Sequence, residues 1–238
     1  MLRAYLLVYP YLAVYVLLGA LIGVPWTWVT RDIRFLYWIA RMGVRSGLWL
    51  SGVRVTQVRP ELARKYPTCV FVCNHISNLD PPALFGVLPR IAFILKKELS
   101  RIPVLGYVMS LGSFIYVDRR ETDSRRKALS RAVETLKKGV SLMVFPEGTR
   151  SKTGEMLPFR PGPFTMAIES GAAVVPITVH GTRELMPKGT LKIRPGRMVL
   201  AFHEPVDTTG MTSADRGAVM ELVRARMQAA LDGPDPLG

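Results

Sequence analysis

Hydrophobic and polar positions divide the chain into two unlike patterns. From Tyr5 to Val24 no charged residue occurs, and about 20 such residues suffice for roughly 30 Å of helix. The stretch holds Pro10, Gly19 and Gly23, and the pattern predicts that Pro25 closes it. A second helix follows, with Arg31, Arg34, Arg41 and Arg45 at steps of three, seven and four on one face. Ile33, Leu36, Tyr37, Ile39, Ala40, Val44 and Leu48 occupy the other. All four tryptophans, Trp26, Trp28, Trp38 and Trp49, fall in this region. Tryptophan at headgroup level, with arginine toward anionic lipid, is what an interfacial amphipathic helix needs. A cleaved signal peptide fits less well, because the positive start is thin and the apolar run long. A helix that spans the bilayer and one that embeds in one leaflet are both compatible with the pattern.

From Val53 the period changes. Val53–Val58, Thr68–Asn74, Ile91–Leu95, Phe114–Val117, Ser141–Phe145, Val174–Val179, Leu191–Ile193 and Met198–His203 are predicted strands. Between them, Pro81–Leu88, Pro103–Leu111, Ser124–Lys138, Phe164–Ser170 and Ala214–Leu231 are predicted helices. Strands alternating with helices imply an α/β fold, here a mixed, partly parallel sheet flanked by helices and preceded by an N-terminal two-helix membrane-binding segment. The expected division is residues 1–50 as the membrane-associating segment and 51–238 as the α/β domain.

Charge adds a partner class. With 32 Lys and Arg against 18 Asp and Glu, the net charge is +14, which suits anionic lipid, a phosphorylated substrate or nucleic acid. Much of that charge flanks apolar segments and no nucleic-acid-binding module is present, so no nucleic-acid partner is expected. The two cysteines, Cys69 and Cys73, lie four apart on one strand. That places them on one face, too far apart for an undistorted disulfide, as buried thiols compatible with a reducing compartment.

The candidate chemistry sits at strand ends, where ligand sites of such sheets collect. Val72-Cys73-Asn74-His75-Ile76-Ser77-Asn78-Leu79-Asp80-Pro81-Pro82 runs from a strand into a helix. Asp80 before two prolines is a predicted N-cap. His75 and Asp80 are five apart and meet only if the chain turns between them, which Ser77 and Asn78 favour. A carboxylate on one imidazole nitrogen leaves the other free to take a proton from a hydroxyl. Lys96-Lys97-Glu98, Val117-Asp118-Arg119-Arg120 and Phe145-Pro146-Glu147-Gly148-Thr149-Arg150-Ser151-Lys152 end three further strands with groups able to bind phosphate.

Asn74-His75 with Asp80 resembles the NHxxxxD motif of the glycerolipid acyltransferases, in their 1-acyl-sn-glycerol-3-phosphate acyltransferase branch. Phe145 to Ser151 matches that family's FPEGTRS block residue for residue. Lys96-Lys97-Glu98-Leu99 with Ile102-Pro103 and Gly106, Leu157-Pro158-Phe159-Arg160 with Gly162 and Phe164, and Val175-Pro176-Ile177 are similar to further segments. The likeness covers residues 65–180. One departure is that Gly112 lies seven residues before Arg119, where the family places glycine six before. Either Ser113 takes the glycine position or the strand carries a one-residue bulge.

The resemblance implies acyl transfer from acyl-CoA or acyl carrier protein to the sn-2 hydroxyl of lysophosphatidic acid, at the membrane; the arginines downstream of the apolar segment place the domain on the cytoplasmic face. His75 is the implied general base and Asp80 its partner. Lys96, Arg119, Glu147, Gly148, Thr149 and Arg150 are the implied substrate-binding residues. Arg150 would meet the acceptor phosphate, and Glu147 would bind the glycerol hydroxyl or orient Arg150. No cofactor and no metal are implied. The alternatives are a family member acting on another lysophospholipid or on glycerol-3-phosphate, and a basic membrane scaffold without chemistry. A zinc hydrolase built on His75, Asp80, His180 and His203 lacks paired-ligand spacing.

Overall fold

The computed structural model describes residues 4–234. Helix α1 (Tyr9–Thr30) follows a short π-helical turn at Ala4–Val8, and α2 (Arg34–Ser51) folds back against it. Pro25 does not end α1, contrary to expectation; the helix runs through it to Thr30 and carries Trp26 and Trp28. A proline in a helix loses a single N–H and strains one turn, a cost the flanking apolar turns absorb. The two helices touch closely. A Cβ on Gly43 would lie 2.4 Å from the Tyr15 ring, so only glycine lets α2 pass at that point.

Seven strands form one sheet in the order β1-β7-β6-β2-β5-β3-β4. They are β1 (Val53–Val58), β2 (Cys69–Cys73), β3 (Ile91–Lys96), β4 (Ile115–Val117), β5 (Ser141–Val144), β6 (Ala173–His180) and β7 (Gly196–Phe202). Every pairing is parallel except β6 with β7. The predicted strand at Leu191–Ile193 is absent. Its backbone is used otherwise: the Tyr9 hydroxyl donates to Leu191 O at 2.7 Å, and Arg194 N donates to Leu185 O at 2.8 Å.

Alternation along β2 separates two cores. Cys69, Phe71 and Cys73 join the cluster that includes Tyr37 and Leu48 of α2 and Leu84 and Phe85 of α3 (Asp80–Val87). Val70 and Val72 join the opposite cluster, under α5 (Thr122–Lys137), α6 (Gly162–Ser170) and α8 (Arg216–Asp232). Both cysteines are free and buried. Burial pushes the Cys69 thiol up to about 12 and holds the Cys73 thiol well above its ordinary value, so neither is an activated nucleophile. Two shorter helices, α4 (Leu105–Leu111) and α7 (Thr182–Leu185), complete the fold.

The arginine stripe of α2 differs from its expected use. Arg45 Nε donates to Gly86 O at 2.9 Å, and Arg41 Nη2 donates to Leu88 O. Both carbonyls close the C-terminal turn of α3, where partial negative charge and unpaired acceptors attract cations. These two arginines therefore join α2 to α3, while Arg34 pairs with Asp32 at 2.7 Å.

Candidate active site

Because β2, β3, β4, β5 and β6 are mutually parallel, their carboxyl ends share one edge of the sheet. Lys96 ends β3, and His75, Arg119, Glu147 and Thr182 follow the ends of the others. The sheet thus gathers segments that are distant in sequence.

Asp80 is not an N-cap. It is the first residue of α3, and its carboxylate turns back over the loop before it. Oδ2 accepts from Ile76 N, Ser77 N and His75 Nδ1, each at 2.8 Å, and Oδ1 accepts from Thr182 Oγ1 at 2.7 Å. The side chain is fully buried. A carboxylate with four donors folds the Asn74–Leu79 loop around itself, which a helix cap would leave open. A carboxylate only accepts, so Nδ1 of His75 carries the proton and Nε2 holds a lone pair. Nε2 makes no hydrogen bond among the described residues. The ring stacks on Phe145, 3.9 Å between centroids and 18° between planes. The orientation of the imidazole is thereby fixed from two sides.

Asn74 anchors the loop's other end. Its amide accepts from Val179 N at 2.8 Å and donates to Val179 O at 3.1 Å, extending the β2–β6 pairing through a side chain. Glu147 joins the same construction. Its Oε1 accepts from His75 N at 2.8 Å and its Oε2 from Leu157 N at 3.0 Å. Burial pushes its carboxyl pKa up, against the two amides that pull it down. No hydrogen bond links Glu147 to Arg150 among the described residues; the carboxylate instead ties the histidine strand end to the 146–161 loop. Ser151 N closes the second link, donating to His75 O at 2.8 Å.

The basic residues are built differently. Arg119 donates to Gly148 O, and burial together with the Arg160 charge holds its guanidinium below its ordinary value. Gly148 has φ +72°, and a Cβ there would lie 2.6 Å from Arg160 Nε, so Gly148 brings Arg119 and Arg160 onto one turn. Thr149 is exposed. Arg150 is half-buried; its carbonyl accepts from Lys188 Nζ at 2.6 Å, and its Nη1 is buried with no partner among the described residues. Lys96 is exposed at the end of β3 and pairs with Glu98 at 2.9 Å, outside the His75 network. His180 and His203 lie elsewhere, sharing Thr178 Oγ1 at 3.2 and 2.9 Å. Ser113 adopts φ +66°, while Gly112 has an ordinary negative φ, so Ser113 takes the glycine position before β4.

An apolar cavity of about 520 Å³ borders the His75–Asp80 loop. Asn78, Pro81 and Pro82 line it, together with residues of α1, α2 and α4, including Val16, Ala40 and Met109. That volume falls in the range of roughly 300–1,000 Å³ usual for small-molecule sites.

This geometry coincides with a sequence match. Residues 54–180 match the family described as Acyltransferase. The chain belongs to the acyltransferase family. It is 36% identical over 174 residues to the 1-acyl-sn-glycerol-3-phosphate acyltransferase BAT2, chloroplastic, of Brassica napus, covering 73% of this chain and 51% of that protein. It is 34% identical over 195 residues to 1-acyl-sn-glycerol-3-phosphate acyltransferase alpha of Mus musculus, covering 79% and 67%. Among solved structures it is similar to the 1-acyl-sn-glycerophosphate (LPA) acyltransferase PlsC from Thermotoga maritima. There the TM-score is 0.77 at 28% identity, covering 98% of this chain and 95% of that one. The chain spans 51% and 39% of the first two curated relatives, about half their length or less. In this chain the sheet is mostly parallel and an apolar helix precedes it. That helix, Ala4–Thr30, is long and apolar enough to cross a membrane.

Sequence reasoning missed Thr182, Asn74 as a sheet extension, Arg160 and Lys188. Thr182 had one visible signal, Gly181 directly after a strand, which marks a turn at the site edge.

Proposed function

We propose that this acyltransferase moves an acyl group from a thioester donor, acyl-CoA or acyl carrier protein, to the sn-2 hydroxyl of lysophosphatidic acid, giving phosphatidic acid. The observation that carries this reading is the 2.8 Å contact of His75 Nδ1 with Asp80, which leaves Nε2 unbonded beside a basic loop and an apolar cavity. Nε2 takes the hydroxyl proton as the hydroxyl oxygen attacks the thioester carbonyl carbon. The tetrahedral intermediate then collapses, the C–S bond breaks, and the sulfur leaves as a thiol carrying the proton that His75 returns. Asp80 stabilises the imidazolium between those steps. Direct transfer is favoured over a covalent enzyme intermediate, because Cys73 is wholly buried with a raised pKa.

Arg150, with its unpaired buried nitrogen, is the acceptor-phosphate ligand, assisted by Arg119, Gly148 and Thr149 of the same loop pair and by Lys96 at the rim. Glu147 contributes by holding the loop in place. The cavity takes an acyl chain, since its lining offers no charged group. Relatives named for the lysophosphatidic acid reaction, in plant and mouse, support the acceptor. The domain would work at the cytoplasmic face, with membrane lipids as neighbours.

The test is purified protein with acyl-CoA or acyl carrier protein and a panel of lysophospholipids and glycerol-3-phosphate, products read by mass spectrometry. Phosphatidic acid should dominate. A product from another acceptor alone would sink the acceptor assignment, and no acyl product from any acceptor would sink the reaction.

A further inference from the structure

The outer side of α1 is apolar and uncovered, with Leu21 71% and Val29 85% exposed. A second uncovered apolar group lies outside the N-terminal segment. Leu99 and Ile102, in the loop after β3, and Tyr107 of α4 are 36%, 40% and 48% exposed. The two surfaces meet. Trp28 Nε1 donates to the Tyr107 hydroxyl at 3.1 Å, and the rings contact edge to face, 6.4 Å between centroids. Lys97 and Arg101 stand exposed in the 3-10 turn that carries Leu99.

The same segment has an inner side. Leu99, Leu105, Val108 and Met109 line the apolar cavity beside the catalytic loop. Its backbone is held in a tight bend: Leu105 N donates to Pro103 O at 2.6 Å across Val104, which sits at φ +61°, ψ −58°. A three-residue turn of this kind is unfavourable for a β-branched residue, so tertiary contacts must impose it. One such contact is Tyr116 Oη donating to Gly106 O at 2.8 Å. Apolar side chains are thus presented outward by a fixed loop.

We infer that residues 97–107 form a second bilayer-contacting element beside α1, and that the cavity opens to the lipid between them. The arrangement has the composition of a membrane interface: aliphatic side chains in the middle, tryptophan and tyrosine joined at the edge, and cations at the flank. A protein partner would not require continuity with a helix that is apolar and uncovered along its outer face. The opening to lipid rests on the acyl-chain reading of the cavity given above; the insertion does not.

The test uses the full chain with Ile102→Cys carrying a polarity-sensitive fluorophore, since Cys69 and Cys73 are buried and leave the new thiol selectively reactive. Mixed phosphatidylcholine–phosphatidylglycerol vesicles, with and without brominated acyl chains, are the probe. Emission should shift to the blue and be quenched by the brominated lipid. The same label at Arg131→Cys, on the opposite side of the sheet, should keep its aqueous spectrum. A label at 102 that stays aqueous on vesicle-bound protein overturns the inference. If the Ile102 variant does not fold, Tyr107→Cys carries the label instead. In addition, Ile102→Gln should lower activity on vesicle-borne acceptor by about threefold, as one interfacial aliphatic side chain contributes modestly, and leave activity in detergent unchanged. An equal loss in both would assign Ile102 to packing and overturn the inference. Buried label with no phosphatidic acid formed would support insertion and reject the acyltransfer reading.

Discussion

The His75 loop and the Arg150 loop share one sheet edge, yet they are finished in opposite ways. Around His75 the polar groups are paired: Asp80 has four donors, Asn74 is bonded twice to Val179, and Glu147 spends both oxygens on amides. Nε2 is left without a hydrogen bond among the described residues. Around Arg150, Arg119 and Lys188 reach carbonyl oxygens, and a buried Arg150 guanidinium nitrogen has no partner among the described residues. A saturated network keeps one geometry and suits proton transfer; a region with spare donors suits a ligand that brings its own negative charge. Such a difference between neighbouring loops separates positioning from binding.

The comparison breaks most sharply at the base. His75→Ala should lower kcat by roughly 10²–10⁴, the range for losing a general base, with the melting temperature little changed. Combining it with Asp80→Asn should cost little more, because the pair acts as a unit. Steady-state kinetics of the single and double variants check this; additive losses would separate the two residues. Arg150→Ala should act on binding. One charge-assisted hydrogen bond to phosphate is worth about 1.5–3 kcal/mol, so KM for the acceptor should rise roughly ten- to a hundredfold, with that for the donor nearly constant. A larger effect on the donor would assign the loop to the donor's phosphates.

A third measurement contrasts two histidines. His75 has a carboxylate partner, whereas His203 shares a threonine hydroxyl with His180, near Arg59 and Arg226. Burial, then those positive neighbours, push the His203 pKa down from 6.5 to about 4. A depressed folded-state value means stability that is complete above pH 6.5 and is lost as pH falls through 4. His203→Asn should therefore flatten the decline of melting temperature between those limits; an unchanged slope would place the acid sensitivity elsewhere. The smallest effect belongs to Ser113, a side-chain-bearing residue at φ +66°. Ser113→Gly should stabilise by up to about 1 kcal/mol, read by denaturant unfolding, with activity unchanged.

The legible parts of the sequence were those set by local pattern. A continuous apolar, β-branched run gave β2, and the uncharged run gave α1. Five apart with a turn between them brought His75 to Asp80. What stayed hidden depends on contacts that no local rule encodes. Asp80 reads as a cap until its oxygens meet Ile76, Ser77 and Thr182. Arg41 and Arg45 read as lipid-facing until the end of α3 is placed beneath them. Glu147 reads as a ligand for substrate, and the amides of His75 and Leu157 that its oxygens also accept from are not legible in the sequence. Pro25 and the Leu191–Ile193 segment misled for the converse reason, since local preference yielded to packing and to competing hydrogen bonds.

The pairing of Asn74 with Val179 has a consequence for biogenesis. The donor and acceptor are 105 residues apart, and Asp80 and Thr182 are 102 apart. On the ribosome the histidine loop emerges long before the strand that fixes it, and its buried acid must wait without its hydroxyl donor. Closing loops of that length is entropically costly and slows assembly. The apolar N-terminal helix, complete within the first thirty residues, is available to engage a membrane throughout that interval. The apolar helix is thus formed from early sequence, whereas the His75 loop is completed only when β6 and the turn after it have been made.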